Sequence, residues 1–160
     1  QRKADLIQEN VRRLGYANVK VRVMDALCED EQSVETADLV LADLPCSGLG
    51  VLGRKPDIKL RATRESMEAL AGLQRDILSV VWRYVKPGGI LVYSTCTISR
   101  RENEENRAWF LKQFPFEPVH IQGRLGELIS EETLKQGYVQ LLPGVHPCDG
   151  FFLAVFRRRE

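Results

Sequence analysis

Ile7, Val11 and Leu14 recur on one face of a helical wheel and Gly15 follows as a stop, so the spacing predicts a helix over 2–14. The period then changes. Val19, Val21 and Val23 alternate with polar neighbours and lead to Asp25, the pattern of a strand over 19–24 with an acid at its end. The polar stretch 29–36 reads as loop. Leu39-Val40-Leu41-Ala42 is a continuous apolar run, which fits a buried parallel strand over 38–43 closing on a second acid, Asp43.

Residues 49–60 carry Gly50, Gly53 and Pro56 and read as a long irregular loop whose bases Arg54, Lys55 and Lys59 are opposed only by Asp57. Met67, Leu70, Leu73, Ile77, Val81, Trp82 and Val85 then lay out an amphipathic helix over 63–86, with Thr63 as its N-cap and Pro87-Gly88-Gly89 as its end. Residues 89–93 form the next apolar run and stop at Ser94-Thr95-Cys96-Thr97. Ser99 with Glu102 three residues on has the spacing of a capping box opening a helix over 100–113. Strands are expected over 116–121 and 151–156, and loop with a short helix over 123–137. Strands alternating with helices predict an α/β fold, a mostly parallel sheet covered on both faces.

Composition narrows the classes without choosing among them. A chain of 160 residues with 44% apolar and 28% charged residues is one domain's worth of globular protein. No apolar run approaches the roughly 20 residues of a membrane span, so no membrane is expected as a partner. A net charge of +1 leaves any nucleic-acid surface to local patches. Cys28, Cys46, Cys96 and Cys148 contain no C-x-x-C and are joined by only two histidines, which argues against a metal site. The absence of secretory features favours a reducing cytoplasmic setting.

The chemistry gathers at strand ends. In open α/β sheets ligands bind beyond the carboxyl ends of the strands, and three strands here run into Asp25, Asp43 and Cys96. Pro45 and Gly48 turn the chain just past Asp43, placing Cys46 in a strand-end turn as well, so the two cysteines are expected to face one crevice. Either is a nucleophile if its thiol is activated, or a small buried hydrophobe, the ordinary fate of a lone cysteine. Asp43 reads as a buried, paired or ligand-binding carboxylate, and Asp25 equally well as a loop acid. The pair Gly88-Gly89 follows a helix and opens a strand, the reverse of a phosphate cradle. The 54–64 loop is a candidate for phosphate contact, whereas Arg157-Arg158-Arg159 reads first as a solvated tail. Neither histidine lies beside a nucleophile, so no Ser-His-Asp arrangement is formed.

Asp43-Leu44-Pro45-Cys46-Ser47-Gly48, the downstream Arg54-Lys55-Pro56-Asp57-Ile58-Lys59, and Ser94-Thr95-Cys96-Thr97 together resemble the NOL/NOP/Sun RNA cytosine-5 methyltransferases, nearest to the type that modifies small-subunit ribosomal RNA. Leu142-Pro143-Gly144 and Asp149-Gly150-Phe151-Phe152 also fit that pattern. The resemblance implies a Rossmann-like class I S-adenosylmethionine-dependent fold, with Cys96 as nucleophile on carbon 6 of cytosine. Cys46 would help remove the carbon-5 proton and release product, and Asp43 would hydrogen-bond the base. It places Asp25, Asp43 and Pro45 beside the cofactor, and makes Arg54, Lys55 and Lys59 contacts to RNA, with ribosomal RNA the expected partner. The family's Gly-rich cofactor loop and first two strands precede the helix with which this chain begins. The expectation is therefore an incomplete, C-terminal part of one catalytic domain over 1–160. Strand 19–24 would then pair directly with 38–43 or be completed by another chain through self-association. A non-catalytic RNA- or partner-binding module that lacks cofactor binding is the alternative from another class. A methyltransferase acting on another base or a small molecule is a third, which the paired cysteines disfavour.

Overall fold

Alternation along the strands decides which face of the sheet is covered. The structure, a computed structural model, describes residues 2–123 and 128–160. Its sheet holds β1 (Ala37–Asp43), β2 (Val85–Thr95), β3 (Phe116–Pro118), β4 (Tyr138–Leu141) and β5 (Phe151–Arg158). The order is β1-β2-β5-β3, with β4 pairing β5 off that path. Only β1 and β2 run parallel; β5 is antiparallel to β2, β3 and β4. The expected mostly parallel sheet is thus a mixed one. Inserting the last strand antiparallel between β2 and β3 gives its backbone groups partners on both sides, which a buried strand requires.

Leu91 and Tyr93 alternate to one face of β2, and Phe152, Ala154 and Phe156 to the matching face of β5. All five are buried with Leu78 of α2 (Arg64–Val81) and Phe110 of α3 (Glu104–Gln113) in one core. Each large side chain fully removed from water there contributes about 1.5–3 kcal/mol. Phe110 stacks at 4.8–5.1 Å between centroids on Phe114, Phe116 and Phe156, a cluster that docks α3. The other face is not closed. Leu39 and Leu41 of β1 are 53% and 71% exposed, so the expectation of helices on both faces fails at this edge. The helix α1 (Arg2–Arg13) forms where its periodicity predicted, but buries none of its residues.

The strand expected over 19–24 does not form; those residues pair with no strand and stay largely exposed. Neither β1 nor any other described strand supplies the neighbour that its backbone needs, and alternation alone cannot hold an extended segment. The segment after it is instead clipped to the 3-10 turn that follows α2, where Tyr84 Oη accepts the Asp30 N–H at 2.9 Å.

Thr63 caps α2 as expected, in a reciprocal capping box with Ser66. The helix stops earlier than its apolar pattern implied, passing through a 3-10 turn at Trp82–Tyr84, and β2 already starts at Val85, before Pro87. Gly89 sits where a side chain would press on the Asp38 carbonyl at 3.1 Å, so a small residue and a register shift against β1 go together. The capping box at Ser99 does not form. α3 begins at Glu104 after Asn103, and the Glu102 side chain is drawn elsewhere. The strand expected over 116–121 ends at Pro118. The loop of 49–60 folds into two 3-10 turns, Leu49–Val51 and Pro56–Leu60. The short helix expected within 123–137 is α4 (Glu131–Lys135), and the part of that expectation on 124–127 lies outside the described residues. Nor is the arginine run a free tail. Arg158 lies in β5, bonds the Val85 carbonyl and Glu35 at 2.6 Å each, and stacks over Trp82 at 5.0 Å.

Candidate active site: two cysteines over a buried polar network

β1 and β2 end side by side, Asp43 in register with Ser94. Each chain then turns upward with a cysteine two or three residues on. Gly48 takes the left-handed conformation at φ +72°, which a side chain would strain, and so folds the Cys46 turn back over the sheet edge. Gly50 donates its N–H to the Cys96 carbonyl at 3.1 Å and accepts from Gly150 N–H at 2.8 Å. A Cβ on Gly50 would lie 2.2 Å from the Gly150 oxygen, so the three segments meet backbone to backbone.

The two sulfurs lie 3.2 Å apart, and both residues are half-buried. They share a cleft of about 590 Å³ lined also by Ser47, Lys55, Arg61, Ser66 and Leu70. Burial first, and then the hydrogen bond and charge of Cys96, push the Cys46 thiol up to about 12. Cys46 therefore keeps its proton and can direct it toward the Cys96 sulfur.

Beneath the cysteines lies a layer of polar side chains closed to water. Gln74, Thr95, Thr97, Glu102, Asn103 and Asn106 are all fully buried. Ser47 donates its N–H and hydroxyl to Glu102 at 2.8 and 2.6 Å, and Gln74 reaches both Glu102 and the Pro45 carbonyl. Asn103 accepts from Thr95 Oγ1 at 2.6 Å and donates to the Thr97 carbonyl at 3.0 Å, fixing the backbone on both sides of Cys96. The Tyr93 hydroxyl sits against Gln74 Oε1 and the Glu102 carbonyl, and burial raises its phenol above the ordinary range. Such fully satisfied networks rigidify what they support. Sequence reasoning did not single out Gln74, Asn103 or Asn106, and it took Glu102 for a helix-capping acid. The one available signal was the run Arg101-Glu102-Asn103-Glu104-Glu105-Asn106, amide and acid types placed where a helix start turns inward.

The remaining candidates are more dispersed. Asp43 is exposed at the end of β1 and accepts from Ser94 Oγ at 2.9 Å, paired but not buried. Pro45 is exposed, and Asp25 closes a turn by accepting the Leu27 N–H at 3.0 Å. None of these three lines the cysteine cleft. Lys55 does line it, Arg54 is held by Asp149 at 2.8 Å, and Lys59 lies exposed outside the lining.

Residues 1–157 match the family model described as 16S rRNA methyltransferase RsmB/F. The chain belongs to that family. Among RsmB/F relatives, a probable ribosomal RNA small subunit methyltransferase B of Bacillus subtilis is 39% identical over 160 residues, 98% of this chain. The chain spans 36% of that relative's length, about a third of the curated relatives it matches. The crystal structure of PH0851 superposes with a TM-score of 0.82 at 35% identity, covering 94% of this chain and 33% of that one. A methyltransferase homolog protein from Pyrococcus horikoshii superposes at 0.74 with 33% identity, covering 94% and 48%. The strand order β1-β2-β5-β3 is accordingly part of a Rossmann-like methyltransferase sheet.

Proposed function

We propose that this chain carries the chemical centre of an RNA cytosine-5 methyltransferase acting on small-subunit ribosomal RNA through a covalent cysteine adduct. The observation that carries the reading is the 3.2 Å approach of two sulfurs from separate strand ends, in an open cleft beside basic side chains. Direct alkylation of an already nucleophilic nitrogen has no use for a thiol; carbon 5 of cytosine does. Addition of the Cys96 thiolate to carbon 6 raises electron density at carbon 5. Asp43 lies outside the cleft lining, at the strand end three residues before Cys46, and from that edge is the candidate partner for the amino edge of the base, where a carboxyl stabilises the adduct by favouring a proton on ring nitrogen 3. The base must be unstacked to reach such a cleft.

The pairing also supplies a sequence of proton events. While Cys96 is free, its charge and hydrogen bond hold the proton on Cys46. Once the Cys96 sulfur is bonded to carbon 6, both influences vanish and only burial remains to raise the Cys46 thiol. Cys46 is then freer to ionise and take the carbon-5 proton of the alkylated ring. Loss of that proton and cleavage of the sulfur–carbon bond restore aromaticity and return the Cys96 thiolate.

S-adenosylmethionine, the donor implied by the family, is not well matched by the described residues alone. Asp25, Asp43 and Pro45 are exposed and none faces the cleft, so a bound nucleoside would be gripped from one side. That observation favours a second reading, an RNA-binding module that does not itself hold the methyl donor. The deciding experiment uses an enzyme of full family length carrying these residues, incubated with the methyl donor and RNA containing 5-fluorocytidine. A covalent adduct at Cys96 is expected, and Cys46→Ala is expected to accumulate adduct on ordinary RNA. Methylation surviving Cys96→Ala would refute the assignment.

A further inference from the structure

Glu102 is a fully buried acid with no cation beside it among the described residues. Three neutral donors converge on its two oxygens: the Ser47 N–H and the Gln74 amide on Oε2 at 2.8 and 3.2 Å, and the Ser47 hydroxyl on Oε1 at 2.6 Å. An acid side chain satisfied by hydrogen bonds alone is a strong local constraint, because each donor must stay in place to keep a buried oxygen from being left unpaired.

Counting protons fixes the direction of the chain of bonds. Ser47 has one hydroxyl proton, and it points at Glu102. The 2.7 Å contact between Ser47 Oγ and Thr97 Oγ1 is therefore donated by Thr97. Ser47 directly follows Cys46, and Thr97 directly follows Cys96. One buried carboxylate thus grips the residue after the first cysteine by backbone and side chain, and through it the residue after the second.

We propose that Glu102, Ser47 and Thr97 form a clamp that sets the distance between the Cys46 and Cys96 sulfurs. They are positioning residues, acting through the two turns that carry the thiols. The reason the spacing matters rests on the reading given under Proposed function; the clamp itself needs neither RNA nor methyl donor to be tested. The turns are joined to separate strands, 50 residues apart in sequence; beside the Gly50–Cys96 backbone bond, the hydroxyl bridge is the contact that ties Ser47 to Thr97.

The test is alkylation of the purified chain with iodoacetamide from pH 7 to 11, each cysteine followed by mass spectrometry. In the native chain Cys46 reacts only toward the top of the range, its proton held by burial and by Cys96. Thr97→Val keeps shape but removes the bridging hydroxyl, and Ser47→Ala removes it from the other end. In both, Cys46 labelling is expected to begin about one pH unit lower, roughly tenfold faster at pH 9. Thr97→Ser retains the hydroxyl and the native profile. Cys28 and Cys148, both exposed, label at native rates throughout, which separates a loosened clamp from a loosened fold. If Ser47→Ala unfolds, the Thr97→Val and Thr97→Ser pair carries the comparison. An unchanged Cys46 profile in Thr97→Val, or a shift in Thr97→Ser as large as in Thr97→Val, overturns the clamp. Failure of the 5-fluorocytidine adduct would leave this result standing, and the converse also holds.

Discussion

Replacing Gly50 by alanine tests whether the cysteine turns are joined by direct backbone contact. The added carbon would lie 2.2 Å from the Gly150 oxygen, 2.7 Å from its carbonyl carbon and 2.8 Å from the Cys96 oxygen. All three are main-chain atoms, so no side chain can rotate away. Overpacking of this kind costs about 1–3 kcal/mol. Relief by separation would break the 3.1 Å bond to Cys96 and the 2.8 Å bond from Gly150, each a net loss of about 0.5–1.5 kcal/mol. The combined destabilisation is about 2–6 kcal/mol, which for a domain of this size lowers the melting temperature by roughly 4–24 °C. Gly53 in the same loop is the control, because a Cβ there meets nothing within 4 Å. Circular-dichroism melts of Gly50→Ala and Gly53→Ala beside the native chain are the assay. Gly50→Ala melting within 2 °C of Gly53→Ala would refute the claim that these backbones are in contact.

Arg158→Ala, which removes bonds to Val85 and Glu35 and the stack on Trp82, should destabilise by about 2–3 kcal/mol. Arg157→Ala should stay within about 0.5 kcal/mol, and urea midpoints distinguish the two. The chain by itself should show no micromolar binding of S-adenosylmethionine by calorimetry, since Asp25, Asp43 and Pro45 are exposed; a clear micromolar isotherm would contradict the one-sided surface described above. Lys55→Ala should weaken RNA binding and reduce the steepness of its salt dependence by about one phosphate contact, whereas Lys59→Ala, outside the cleft lining, should change it less. Amides of α1 should exchange with deuterium far faster than those of β2, because a 12-residue helix that buries nothing is marginal in water. Equal protection would refute the reading of α1 as an undocked helix.

Much of the fold was legible because periodicity is local. The helices at 2–14 and 63–86 announced themselves by spacing, and Thr63 by its place before that spacing. What failed were features that depend on a neighbour. Val19, Val21 and Val23 alternate as well as any strand in the chain, yet alternation specifies a surface and not its partner. The direction of β5 was equally hidden: an apolar run such as 151–156 is the same run whether it enters a sheet parallel or antiparallel. Arg158 shows the reverse case, a charge in a basic run that proximity to Trp82 and Glu35 turned into packing.

The site divides along the same line. Proline, glycine and strand endings told that Cys46 and Cys96 belonged at one edge, because those residues act on their own backbone. Glu102 was misread for an instructive reason. Ser99 and Glu102 have the separation of a capping box, and a capping box is a solvent-side device that satisfies the helix's own start. Here the same acid is buried, and the Ser47 N–H and hydroxyl offer it better donors than the Ser99 backbone does. A buried carboxylate goes where the most donors can reach it, since an unsatisfied oxygen costs about 1–3 kcal/mol. A motif defined by three-residue spacing has no information about a serine 55 residues away. Local rules therefore found the two thiols, and only the folded chain revealed the acid that holds them together.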